Sequence, residues 1–100
     1  MCSYVTEKGA VTGAGKGADG WFDLTGVMAY FDHPYHSPYE HTLNIDFLNE
    51  AAGPSARVAV ELTASSAREL VRCIEAALAA AGPAADDAAH RRFGTDGSAG

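Results

Sequence analysis

The stretch TLNIDFLNEAAGPSARVAVEL, residues 42–62, decides the fold. In its first part Leu43, Ile45 and Phe47 fall on one parity and Thr42, Asn44 and Asp46 on the other. A period of two marks a strand with one face toward a core. NEAAGPS, punctuated by Gly53 and Pro54, reads as a loop. ARVAVEL then alternates again, with Val58, Val60 and Leu62 expected inward and Arg57, Ala59 and Glu61 outward. Two such runs on a short connection predict antiparallel neighbours. Asn44 and Asp46 are expected on the face away from the core, either solvated or lining a dimer cleft.

Working outward, residues 3–12, SYVTEKGAVT, read as a first strand because Tyr, Val and Thr favour extended backbone. A glycine-rich connection follows, with Gly13, Gly15, Gly17 and Gly20. GAGKG, residues 13–17, departs from a phosphate loop, because Ala10 and Gly17 stand where that pattern needs Gly and Ser or Thr. It reads as a flexible turn. Trp21 to Asp32 form a second strand, with Gly26 as a candidate bulge. Val27 to Phe31 are apolar on both parities, which suggests burial on both faces.

Downstream, Ala67, Leu70, Val71, Ile74 and Leu78 repeat at i, i+3, i+4, i+7 and form the stripe of an amphipathic helix. Thr63, Ser65 or Ser66 can cap it, Ser66 and Glu69 have capping-box spacing, and Gly82 with Pro83 end it. The predicted fold class is α+β, an antiparallel four-stranded sheet packed by one C-terminal helix in the order ββββα. Residues 1–82 form a single domain and residues 83–100, of low complexity, a disordered tail. One helix covers only part of a sheet face, so a homodimer is expected.

Composition narrows the function classes. The chain is 47% hydrophobic and 20% charged, as in a soluble globular protein. A net charge of −6 without a basic cluster argues against nucleic acid and against an anionic membrane surface as partners. No apolar run approaches the roughly 20 residues that span a bilayer. MCSYVTEKG lacks the pattern of a signal peptide, and Cys2 and Cys73 do not form a disulfide framework, so a cytoplasmic protein is expected.

The densest chemistry lies in HPYHSPYEH, residues 33–41, which holds three of the four histidines. Pro34 and Pro38 exclude a regular helix and stiffen the loop. His33 continues the parity of Ala29 and Phe31; His41 continues that of Leu43, Ile45 and Phe47. Paired across a hairpin, the two would have Cβ atoms about 5 Å apart, close enough to share one ion. His36 is the candidate third ligand. The predicted site is therefore a mononuclear metal held by His33, His36 and His41, with zinc, iron, copper or nickel suited to imidazole. Three ligands and an open position describe a catalytic centre, with Glu40 or Tyr39 moving protons at a small-molecule substrate. The spacing matches no strong metal signature. Cys2, exposed at the terminus once Met1 is removed, is a candidate nucleophile or further ligand. Cys73, beside the helix stripe, reads as a packing residue and His90 as solvated.

Two alternatives stand beside the metal. One is a metal-free module that binds a small molecule or a protein through the aromatic hairpin. The other is a cofactor-free isomerase or cyclase, in which histidine, titrating near neutral pH, is the acid and base.

The wording MCSYVTEKGAV, GADGWFDLTG, YFDHPYHSPYEHTLNIDF and GPSARVAVELTASSARELV resembles a family of small uncharacterised actinobacterial proteins. The likeness covers residues 1 to about 80 and implies a bacterial cytoplasmic protein. It transfers no activity. By analogy with small proteins that accompany biosynthetic gene clusters, it suggests a metal-dependent tailoring enzyme (a lyase, isomerase, cyclase or hydrolase).

Overall fold

The computed structural model describes residues 5–86. Its order is β1 (Thr6–Gly17), β2 (Gly20–Asp32), β3 (Thr42–Leu48), a single 3-10 turn (Glu50–Ala52), β4 (Arg57–Leu62), α1 (Ala64–Ala81) and α2 (Pro83–Asp86). The strands form one antiparallel sheet in the order β1-β2-β3-β4, so the fold is α+β with the order ββββα. The described residues divide into two compact units, one ending at Ala67 and one beginning at Arg68. No helix among them is long and apolar enough to cross a membrane.

The glycine-rich stretch is strand, not connection. β1 runs through Gly13, Gly15 and Gly17, which pair with Leu24, Phe22 and Gly20. Ladder hydrogen bonds to β2 override the weak strand preference of glycine. Only Ala18 and Asp19 remain as the turn. The register shifts between Ala10 and Gly13, so the irregularity lies on β1, opposite the neighbourhood of Gly26. Glycine has a steric purpose here. The end of β1 curls back to reach β4. A Cβ on Gly17 would lie 3.1 Å from the Phe22 ring and 3.2 Å from the Arg57 carbonyl oxygen, and one on Gly15 would lie 3.3 Å from Val58. Side chains at these positions would hold the hairpin tip off β4.

The burial of β3 reverses the expectation. Thr42, Asn44 and Asp46 are the buried residues, at 0%, 3% and 5% exposure, while Leu43, Ile45 and Phe47 are half-buried. The alternation was correctly spaced, but the polar face is the covered one. Tyr35, His36 and Ser37 of the loop lie on that side, as described below. Among the described residues Ala56 is the one buried hydrophobic side chain. On β3 the apolar side chains are thus only half-buried.

In the second unit and the turn leading to it, the helix, its cap and its stop are as expected, and the capping box and the Cys73 packing are not. Thr63 caps α1: its carbonyl accepts from Ala67 N–H at 2.9 Å and its hydroxyl oxygen from Ser66 N–H at 3.2 Å. Glu69 pairs with Arg72 at 2.6 Å rather than closing a capping box. Gly82, at φ 59°, ends the helix in the left-handed region. Leu70, Val71, Ile74 and Leu78 are exposed, and Cys73 is an exposed thiol rather than a packing residue. Pro83–Asp86 form a helical turn where a disordered tail was expected; the remainder of that tail, with His90, lies outside the described residues.

Candidate functional site

The histidine loop carries three consecutive backbone N–H groups between its two prolines, those of Tyr35, His36 and Ser37. All three donate to one carboxylate, Glu61 on β4. Tyr35 N–H lies 2.6 Å from Oε2, Ser37 N–H 2.8 Å from Oε1, and His36 N–H 3.2 Å from both oxygens. The Ser37 hydroxyl adds a fourth bond at 2.9 Å. These donors favour the ionised form and lower the Glu61 pKa to about 2, with Ser37 N–H the largest cause. Glu61 lies beside Asn44 on the polar face of the sheet, half-buried rather than solvated, and there it anchors the loop.

Under the anchored loop lies an open pocket of about 480 Å³. Cross-strand register builds its floor: Tyr30, Asn44 and Glu61 share one row, and Asp46 and Ala59 the next. Tyr35, His36 and Arg57 complete its principal polar and aromatic wall. Asp46 is bonded mainly through one oxygen. Its Oδ1 accepts from Arg57 Nε at 3.1 Å and Nη2 at 2.8 Å, and its Oδ2 from the Tyr30 hydroxyl at 3.5 Å. Burial, and then the negative charge of Asp46, raise the Tyr30 pKa.

Asn44 is the exception on this floor. The Thr42 hydroxyl donates to its Oδ1 at 2.6 Å. Its Nδ2 is buried and makes no hydrogen bond within the described residues. A buried amide donor without a partner costs about 1–3 kcal/mol.

The loop separates the histidines. His33 and His41 meet as the register requires, one step beyond Phe31↔Leu43, with ring centroids 4.7 Å apart. His41 also stacks on Phe31 at 5.9 Å. Asp32 Oδ1 accepts from His33 N–H at 2.7 Å and lies 3.1 Å from its Nδ1. These bonds, the backbone one first, lower the Asp32 pKa. His36 instead lines the pocket on the opposite face of the hairpin. Among the described residues no three His, Cys, Asp or Glu side chains converge as a metal-ligand group. Glu40 is exposed and Tyr39 is 56% exposed. Cys2 lies outside the described residues.

With this geometry in hand, comparison places the chain. It belongs to a family of unknown function, DUF6295, whose model matches residues 1–88. No curated protein and no solved structure matches it.

Asn44 and Asp46 were expected away from the core, solvated or lining a dimer cleft, and Arg57 and Glu61 outward; none was expected in a pocket. The available signal was the polar parity shared by β3 and β4, which only pairing converts into a cluster.

The Glu61 anchor has a defined pH dependence. Its pKa is depressed from an ordinary 4.5 to about 2, so its contribution is complete above pH 4.5 and is lost as pH falls toward 2. Amide exchange at Tyr35, His36 and Ser37, corrected for intrinsic rates, is expected to accelerate over that interval. Glu61→Gln should show the fast exchange already at pH 6. Identical rates in variant and wild type at pH 6 would show that the carboxylate does not hold the loop.

Proposed function

We propose that this chain is a small-molecule binding protein whose site is the polar pocket beneath the Glu61-anchored loop. The buried Asn44 Nδ2, without a partner among the described residues, carries this reading. A sheet floor could hold apolar residues there at no such cost, so the polar pair Thr42–Asn44 is retained for binding rather than for stability. The nitrogen has almost no exposed surface, so an occupant reaches it by parting the side chains above it.

The double variant Thr42→Val/Asn44→Leu tests this. Replacing both partners with apolar groups of similar shape should leave unfolding free energy within about 1 kcal/mol of wild type, or raise it. The same variant should lose binding of small aromatic fragments seen by ligand-observed NMR with the wild type. A loss of stability above about 2 kcal/mol would mark the pair as structural and end the reading.

A second reading is favoured by the 4.7 Å approach of His33 and His41, which suits two imidazoles sharing one metal ion at the open end of the hairpin. Its remaining ligands come from outside this pair, His36 requiring a turn of the loop. Elemental analysis of the tag-free full chain, beside His33→Ala/His41→Ala, should find near-stoichiometric metal in the wild type alone. Equal metal in both would remove this reading.

Either site sits in a protomer with little buried apolar surface, and a homodimer supplies the missing cover. Sedimentation equilibrium of the full chain should give twice the single-chain mass. A monomer that stays folded at low micromolar concentration would contradict it.

A further inference from the structure

The pocket's hydrogen-bonding inventory defines what it takes, if it is the binding site just proposed. Both carboxylates on the face are occupied by protein donors. Glu61 receives the three loop N–H groups and the Ser37 hydroxyl. Asp46 receives two N–H groups of Arg57 and the Tyr30 hydroxyl. The donors are in surplus. Arg57 commits only Nε and Nη2 to Asp46, leaving Nη1 unengaged by any described residue on a side chain 48% exposed. Asn44 Nδ2 is unengaged as well. The complement of such a lining is an acceptor, and guanidinium and amide N–H groups both suit an oxygen.

Charge narrows the class. Asp46 and Glu61 carry two negative charges against one positive charge on Arg57, all at one pocket. An anion entering there would meet net repulsion, and a cation would find both carboxylates already bonded. The flat rings of Tyr30 and Tyr35, with Ala59, supply apolar wall beside the donors. We infer that the pocket takes a flat, uncharged molecule that presents a carbonyl oxygen to Arg57 and Asn44.

Three probes that share one ring and differ in charge and polarity test this: benzamide, benzoate and benzylammonium. Each is titrated into full-length isotope-labelled protein, with the side-chain resonances of Asn44 and Arg57 followed by NMR. Benzamide should shift both and bind more tightly than the other two. Arg57→Lys, which keeps the charge beside Asp46 but loses the second arm of the fork, should weaken benzamide about tenfold. Benzoate or benzylammonium binding as tightly as benzamide would overturn the inference and leave the pocket standing. So would an unchanged affinity in Arg57→Lys. No shift with any probe would overturn the inference and the pocket reading together.

Discussion

The capture of three consecutive backbone N–H groups by the Glu61 carboxylate is the constraint on which the rest of the described sheet unit depends. Pro34 and Pro38 bracket those three donors and have no N–H of their own. Without Glu61 the donors between them would rely on water. A carboxylate with two oxygens can satisfy all three at once, because successive N–H groups in a tight turn point toward a common centre. The loop is thereby folded onto one face of the sheet instead of projecting beyond β2 and β3.

That placement inverts the usual order of a half-covered sheet. On β3 the covered side chains are polar, Thr42, Asn44 and Asp46, and the apolar ones are half-buried; on β4 Arg57 and Ala59 are exposed and Val58 and Val60 half-buried. Burying Asp46 is tolerable because Arg57 bridges it through two N–H groups and Tyr30 adds a third donor. Burying Asn44 is tolerated without full compensation. The one unsatisfied member of the network, Asn44 Nδ2, is what supports the proposed binding site.

The loop also divides the histidines between two environments. His33 and His41 stay on the strand parity and meet at the hairpin's open end, while His36 is carried over to the pocket. Three histidines in nine residues are close in sequence but are sorted by the fold. Local density of ligand-type residues is thus a weaker signal than parity, since parity brought the one pair that met.

How much was legible follows from the range of the interactions involved. Local rules were sufficient for β2, β3, β4, the Thr63 cap and the Gly82 stop, because period, caps and breakers act within a few residues. Cross-strand parity also gave the His33–His41 pair. The sequence alone did not determine that GAGKG is strand, because its ladder partners and its close approach to β4 come from distant residues. Nor did it determine which face of β3 is covered. Alternation states that two faces differ; it does not state what lies on each. That was decided by Glu61, 24 residues from Ser37 in the chain, whose long-range bond swings the loop onto the polar side.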